Sequence, residues 1–277
     1  MTQANRKGRQ RIVSLPPSAT SILVALGARR ELVGVTKWCA NVAEVGGLPR
    51  LGDCWSLDPE RVLELRPTLV IGSVPYKQET VAKLLEHPLT FLAMNPRTLV
   101  DIASDIQLLG RIVGREGAAG KLVAKMRKAF AQVKAKSRNT ESAGPQRTRR
   151  RRLRVYCEAW PHPRISSPPW VAELVRIAGG QMAVPAGARI TDAEVARARP
   201  DVIVIAWAAT GARPRAATLL ANPAWQDVPA VRHRRVYVVR DELLNTPGPP
   251  LIEGVRELLR IFHPVRVSSD RPPGSGD

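Results

Sequence analysis

One stretch of sequence occurs twice and sets the order of elements in the chain. The first copy reads Asp58-Pro-Glu-Arg-Val-Leu-Glu-Leu-Arg-Pro-Thr-Leu-Val-Ile-Gly72, and the second reads Thr191-Asp-Ala-Glu-Val-Ala-Arg-Ala-Arg-Pro-Asp-Val-Ile-Val-Ile-Ala206. Each copy predicts a short helix that begins with acidic residues, a turn at an Arg-Pro pair, and a buried apolar strand. The repetition indicates that one structural unit is present in each half of the chain.

The segments before the two copies are also alike. Residues 12–27 and residues 154–180 each predict a strand, a loop and a helix that ends at a glycine. Strands that alternate with helices are typical of an α/β lobe with a mostly parallel sheet. We therefore expect two Rossmann-like lobes, at residues 11–101 and 154–264. Because ligands of such folds bind beyond the carboxyl ends of the strands and between domains, we expect a ligand cleft between the lobes.

The segment between the lobes predicts a long connecting helix. Apolar residues recur at spacings of three and four along residues 102–136, which is the period of one helical face. Gly114, Gly117 and Gly120 predict a break or bend, because each costs about 1 kcal/mol relative to Ala inside a helix. The same segment resembles a phosphate-binding loop, but Leu122 stands where Ser or Thr would meet magnesium.

The positive charge of the chain is concentrated in one region. The 277 residues have a formal net charge of +19, and residues 121–154 contain thirteen Lys and Arg and one acid, a net +12. Residues 137–153 predict a basic linker that includes the run Arg149 to Arg152, and residues 265–277 predict a disordered tail. Nucleic-acid binding through the arginine run is an alternative, although aromatic residues are not interleaved with it.

Signatures of catalysis are absent from the sequence. The four histidines are isolated, and neither a Gly-x-Ser-x-Gly nor a His-Glu-x-x-His motif occurs. Cys39, Cys54 and Cys157 form no Cys-x-x-Cys pair and predict buried or free thiols. We therefore expect a protein that is not an enzyme, with no metal site and no resident cofactor.

The sequence also gives information about the cellular compartment of the protein. The longest apolar run, residues 202–209, has eight residues, whereas a membrane-spanning helix needs about 20. The apolar stretch at residues 21–28 is short, and Pro16 and Pro17 separate it from the basic amino terminus, so it does not predict a secretory signal. As written, the sequence predicts a cytoplasmic protein, and a periplasmic one if the true start lies upstream.

Aromatic side chains follow several of the predicted strands. Trp38, Trp55, Trp160 and Trp207 each come just after a strand, where large rigid rings can cover an apolar ligand. Trp170 and Trp225 lie in helix-like or turn contexts and predict packing roles. The alternative for all six tryptophans is that they only anchor loops.

The sequence resembles the bilobal substrate-binding proteins of iron-siderophore and cobalamin ABC importers, in particular the cobalamin-binding branch. The resemblance runs from Arg11 to about Pro264. It rests on motifs in a fixed order, which include Arg11-Ile-Val-Ser-Leu-Pro-Pro-Ser-Ala-Thr20, Leu48-Pro-Arg-Leu-Gly52, Val155-Tyr-Cys-Glu-Ala-Trp-Pro-His-Pro163 and Ser167-Pro-Pro-Trp-Val-Ala-Glu-Leu174. The sequence departs from the family at Cys39-Ala-Asn-Val42, where an aromatic residue is common.

The resemblance implies roles for individual residues. In this family a glutamate on each lobe pairs with arginines of the permease, and the repeated stretch places Glu60 and Glu194 at those positions. Both are also explained as helix-start acids favoured by the helix dipole. Trp55 matches a tryptophan beside the corrin, Trp160 lies in the matching loop of the second lobe, and Asp241 lies in a loop that supplies a polar contact. The complete set of ligand-binding candidates is Trp38, Trp55, Tyr76, Trp160, Trp207 and Asp241.

The leading hypothesis is a monomeric, non-enzymatic binder of cobalamin or a related corrinoid or metal chelate. It would deliver this ligand to an ABC permease by closure of the two lobes. One alternative is a cytoplasmic corrinoid-binding or transfer protein that is not coupled to import. The other is the nucleic-acid binder described above.

Overall fold

The computed structural model describes residues 10–53, 56–73, 78–142, 152–208 and 215–264. The amino-terminal lobe contains β1 (Ile12–Ser14), α1 (Pro17–Ala25), β2 (Leu32–Val35), α2 (Pro59–Glu64), β3 (Leu69–Ser73), α3 (Gln78–Leu85) and β4 (Thr90–Met94). The connecting helices are α4 (Leu99–Ile112) and α5 (Glu116–Ser142). The carboxyl-terminal lobe contains β5 (Leu153–Pro161), β6 (Arg164–Ser166), α6 (Pro169–Ile177), β7 (Gly180–Met182), α7 (Asp192–Ala198), β8 (Val202–Ile205), α8 (Ala216–Leu220), α9 (Pro229–Arg232), β9 (Val236–Val238), α10 (Glu242–Asn245) and α11 (Leu251–Phe262).

The two sheets have corresponding topologies. The first has the order β2-β1-β3-β4, and all its pairs are parallel. In the second, β5 pairs in parallel with β7 on one side and with β8 on the other, and β8 pairs in parallel with β9. The order β7-β5-β8-β9 thus repeats that of the first lobe. The prediction of two α/β lobes with mostly parallel sheets is confirmed, with an antiparallel strand, β6, added beside β5.

Both copies of the repeated stretch contain a left-handed arginine before the strand. Arg66 and Arg199, each directly before a proline, adopt left-handed conformations with φ of 46° and 44°. A left-handed residue ends a helix, and the following proline cannot continue it. In both copies the chain then enters a central strand, β3 after α2 and β8 after α7.

The connecting segment is a pair of helices with a break between them. Thr98 and Asp101 form a capping box at the start of α4, and Gly114 has a φ of 63° just after its end. The break falls where the glycines predict it. Helix α5 continues to Ser142, so it includes residues 137–142, which the sequence analysis assigned to the linker. The remaining predicted linker residues, 143–151, and the predicted tail, 265–277, lie outside the described residues.

One hydrophobic cluster crosses the boundary between the lobes. It joins side chains of the first sheet, such as Ile12 and Ile71, to side chains of the second, such as Val155 and Val204. Buried residues of α4, α5 and α11 are part of the same cluster. Two smaller clusters cover the outer faces of the two sheets. The lobes are therefore connected by shared packing as well as by the chain.

The cysteines that are described are buried thiols. Cys39 and Cys157 are completely buried and form no disulfide. Burial raises the pKa of Cys157 to about 12, which keeps this thiol protonated at neutral pH. These two residues match the prediction from the sequence, and Cys54 lies outside the described residues.

A glycine sets the distance between α10 and α11. A Cβ atom at Gly254 would lie 1.9 Å from the backbone oxygen of Leu243, so this position of α11 has no space for a side chain. At Gly120 of α5, by contrast, a Cβ atom would meet nothing within 4 Å.

These two glycines predict opposite effects of the same substitution. We expect Gly254→Ala to lower the free energy of unfolding by about 2 kcal/mol or more, because the helices must move apart. We expect Gly120→Ala to raise it by about 0.5–1 kcal/mol, because an exposed helical glycine is replaced without a clash. Urea unfolding of both variants measures the effects. A Gly254→Ala variant as stable as the parent would contradict the packing described here.

Candidate functional site

A cavity of about 240 Å³ lies between the lobes. Its first wall consists of residues at the carboxyl ends of β1 to β4 and in the loops after them, as expected for a ligand site of an open parallel sheet. These include Pro16, Ser18, Thr36, Trp38, Asn41, Ser73 and Met94. The opposite wall comes from the second lobe, and includes Trp170, Ala208, Asp241, Glu242 and Asn245.

Two tryptophans give the cavity its aromatic surface. Trp38 is half-buried on the 3₁₀ helix Lys37–Asn41, which follows β2, and the ammonium of Lys37 lies 4.8 Å from its ring centroid. Trp170 is buried on the first turn of α6, and its indole nitrogen donates a hydrogen bond of 2.9 Å to the carbonyl oxygen of Leu244. This bond fixes α6 against the segment that contains α10.

Two polar atoms of the cavity-lining residues have no hydrogen-bond partner within the described residues. They are the indole Nε1 of Trp38 and the amide Oδ1 of Asn245, and both are buried. The amide nitrogen of Asn245 is engaged with the carbonyl oxygen of Ala206 at 2.5 Å. A buried donor or acceptor without a partner costs about 1–3 kcal/mol, so a ligand that supplies partners here gains binding free energy.

A hydrogen bond crosses the cleft between loops of the two lobes. The amide nitrogen of Asn41 donates to Oε1 of Glu242 at 2.7 Å. Arg240 adds a longer contact of 3.4 Å to the carbonyl oxygen of Asn41 and another to Oε2 of Glu242. The loops of the two lobes are in contact here, and a ligand larger than the cavity enters only if they separate.

A buried ionic cluster organises the second wall. Glu158 of β5 is completely buried, and its carboxylate accepts hydrogen bonds from three side chains. The donors are the Tyr156 hydroxyl at 2.7 Å, the Trp207 indole at 2.8 Å and Nη1 of Arg164 at 2.8 and 3.1 Å. Arg164 also pairs with Asp192. The cluster holds the end of β8 in place next to Ala208, which lines the cavity.

The structure brings some of the predicted ligand-binding residues to the cavity. Trp38 and Asp241 line it. Trp55 and Tyr76 lie outside the described residues. Trp160 and Trp207 are not among the described residues that line the cavity.

The two tryptophans outside the cavity have polar partners in their own lobe. Trp160 lies within β5, not in a loop after it, because the strand continues into the antiparallel pair with β6. Its indole nitrogen donates to the carbonyl oxygen of His162. The Trp207 indole faces inward to Glu158. The packing roles predicted for Trp170 and Trp225 fit their burial, although Trp170 also lines the cavity.

The predicted docking glutamates both lie in the first turn of an exposed helix start. Glu60 of α2 pairs with Lys83 at 2.7 Å, and this hydrogen bond lowers the pKa of Glu60. Glu194 of α7 accepts hydrogen bonds from the backbone nitrogen and hydroxyl of Thr191 through Oε2, which lowers its pKa. Glu194 therefore caps its own helix, Glu60 pairs with α3, and both acids remain exposed.

The sequence analysis did not identify several cavity residues. Ser73 and Met94 end parallel strands, so the carboxyl-end rule alone could have found them. Asn41 and Glu242 are 201 residues apart, and no local pattern indicates their contact. Asn245 lies in a four-residue helix that has no strong sequence signal.

Two α/β lobes with their strand ends at a common cleft define a bilobal solute-binding protein. The family model described as periplasmic binding protein matches residues 12–243, and the chain belongs to this family. This finding confirms the family assignment from the sequence and the prediction of a binding protein instead of an enzyme.

The chain is also similar to individual proteins over most of its length. A substrate-binding lipoprotein of an ABC transporter from Bacillus subtilis is 28% identical, with 94% of this chain and 82% of the relative covered. A vitamin B12-binding protein from Vibrio parahaemolyticus is 24% identical, with 96% and 94% covered. The solved apo structure of a periplasmic heme-binding protein from Roseiflexus sp. RS-1 has a TM-score of 0.75 and 25% identity, with 92% and 98% covered.

Two further expectations concern membranes and metals. Among the helices that the structure describes, none combines the length and the apolar character needed to cross a bilayer. In the same part of the chain, no group of three or more His, Cys, Asp or Glu side chains is arranged to hold a metal ion.

The ionic cluster predicts a strong difference between its two acids. We expect Glu158→Gln to lower the free energy of unfolding by about 3 kcal/mol, because it removes the buried partner of Arg164. Asp192→Asn is the matched control. Its carboxylate is 45% exposed, so we expect a loss of about 1 kcal/mol or less. Urea unfolding measures both, and equal losses would show that the buried carboxylate has no special role.

Proposed function

We propose that this protein binds a metal tetrapyrrole, cobalamin or a related corrinoid or heme, in the cleft and delivers it to the permease of an ABC importer. The observation that carries the proposal is the aromatic-walled cavity at the carboxyl ends of both sheets, with Trp38 on one side and Asp241 on the other. An apolar surface with a few polar groups suits a ligand that has a large flat ring and polar substituents.

Relatives of the chain support this class of ligand. Proteins named for vitamin B12 and cobalamin binding match more than nine-tenths of the chain, and a heme-binding protein shares its fold. These ligands have in common a planar macrocycle around a metal ion. We therefore propose that the protein recognises the macrocycle. Titration with each ligand distinguishes a corrinoid from heme.

The size of the cavity indicates how such a ligand enters. Small-molecule sites have volumes of about 300–1,000 Å³, so a cavity of about 240 Å³ is too small for a whole tetrapyrrole. The loops that carry Asn41 and Glu242 must separate, and closure over the ring then re-forms contacts between the lobes.

Delivery of the ligand to a permease requires a docking surface to which both lobes contribute. Glu60 and Glu194 both lie in the first turn of the helix of the repeated unit, one on each lobe, as the second residue of α2 and the third residue of α7. A permease arginine that approaches Glu60 exchanges one exposed ion pair for another, because Lys83 already occupies the carboxylate. Such exposed ion pairs contribute about 0–1 kcal/mol, so loss of the pair with Lys83 costs little free energy. The permease arginine can in addition form a bidentate contact with the carboxylate.

Titration of the purified protein tests the ligand. We expect cobalamin, cobinamide or heme to quench tryptophan fluorescence at micromolar concentration, with a ferric siderophore as the non-tetrapyrrole control. Trp38→Leu should weaken binding about tenfold, which corresponds to about 1.4 kcal/mol of lost aromatic contact. Trp160→Leu, outside the described cavity, should change it less than about twofold. If no tetrapyrrole binds, or if the two variants are equally weakened, the proposed site is wrong.

Uptake of the same ligand in cells tests delivery separately. We expect the double variant Glu60→Gln, Glu194→Gln to bind the ligand as tightly as the parent but to support at least about tenfold slower uptake, because docking is lost. The matched control is Glu64→Gln, Glu79→Gln, which removes two exposed acids of the first lobe. Normal uptake by the first double variant would remove the docking role and leave the ligand proposal intact.

A further inference from the structure

A second cavity lies on another face of the protein, in a groove between α5 and α6. Its volume is about 290 Å³, and basic side chains from three separate segments surround it. Lys134 and Arg138 come from α5, Arg152 directly precedes β5, and Arg176 is in the last turn of α6. The groove also contains Ser137 and Glu173.

Basic side chains outnumber acidic ones among the described residues that line this groove. Within the described residues, no ion pair involves Lys134, Arg152 or Arg176. Glu173 is the one acid among the described residues that line the groove, and its carboxylate also accepts a hydrogen bond from the backbone nitrogen of Leu99. Elsewhere on the surface basic residues do have acidic partners, as Lys83 does in Glu60 and Arg260 in Glu253 and Glu257.

The fold brings these basic side chains from separate segments of the chain to the same groove. Two unit charges of the same sign 4 Å apart repel each other by about 1 kcal/mol in water and by more near a protein surface. The carboxyl end of α6 favours a cation, which accounts for Arg176 alone. It does not account for side chains that α5 and the start of β5 bring to the same groove. A bound anion would remove the repulsion between them.

We propose that the groove between α5 and α6 binds a phosphate-type anion. Arginine recognises phosphate through two parallel hydrogen bonds, and three arginines and a lysine line this groove. The chemistry is that of a phosphate group, either of a soluble phosphate or of an anionic lipid headgroup. Residues 137–153 are predicted from the sequence to be a basic linker, but Arg138 and Arg152 from this range line the groove.

The groove is independent of the ligand cleft. Arg152 lies at the amino end of β5, whereas the cleft is built at the carboxyl ends of the strands. The described residues that line the groove do not include any residue of the cleft. Anion binding can therefore be tested without knowledge of the tetrapyrrole, and its failure would leave the proposed function unaffected.

Calorimetric titration of the full chain with inorganic pyrophosphate tests a soluble source. Cosedimentation with vesicles of phosphatidylcholine, with and without phosphatidylglycerol, tests a lipid source. The variant Arg152→Gln, Arg176→Gln removes two cations from the groove. The variant Arg111→Gln, Lys121→Gln removes two exposed cations elsewhere and is the matched control. Thermal unfolding verifies that both variants are folded.

We expect the groove variant to lose affinity for at least one of these anions by at least about tenfold and the control by less than about twofold. We also expect the affinity of the parent to fall as salt is raised. Loss of pyrophosphate binding would identify a soluble phosphate, and loss of binding only to phosphatidylglycerol vesicles would identify a lipid headgroup. Equal behaviour of the two variants in both assays, or no binding by the parent, would overturn the proposal.

Discussion

The shared hydrophobic core between the lobes is the constraint on which the rest of the structure depends. Ile12 of the first sheet and Val155 of the second belong to one buried cluster, which continues through Ile102, Val123 and Phe262 of the connecting and final helices. Burial of each large apolar side chain contributes about 1.5–3 kcal/mol to the free energy of unfolding. Wide separation of the lobes would expose these apolar side chains to water and lose that contribution. The shared core therefore resists rotation of one sheet against the other.

The relative orientation of the two sheets determines which residues line the cleft. Because the strands of both sheets end at the same gap, residues from the loops after several strands meet there without being close in the chain. On one side Trp38 offers an aromatic face, and on the other the network of Glu158 holds Trp207 and the end of β8. The hydrogen bond between Asn41 and Glu242 joins the two sides. The first wall and this bond come from the loops after the strands, and the second wall comes from α6, α10 and the residues around them.

The repeated stretch was sufficient to predict the fold because helix starts, Arg-Pro turns and apolar strands are local signals. The left-handed Arg66 and Arg199 show that the two copies also agree at this turn. The site was less predictable. The position of Trp38 follows from the strand before it, but Trp160 lies within a strand because β5 continues beside β6. The contact of Asn41 with Glu242 and the inward turn of Trp207 towards Glu158 are tertiary, and neither residue spacing nor composition encodes them.

A crystal structure of the protein with the tetrapyrrole that binds most tightly would show where the ligand lies and how the lobes respond to it. We expect the ring to lie between Trp38 and Asp241, Asn41 and Glu242 to have moved apart, and the core of α4, α5 and α11 to be unchanged. A ring bound anywhere outside this cleft, or a ring in the cleft with the two lobes rotated apart through that core, would contradict this expectation.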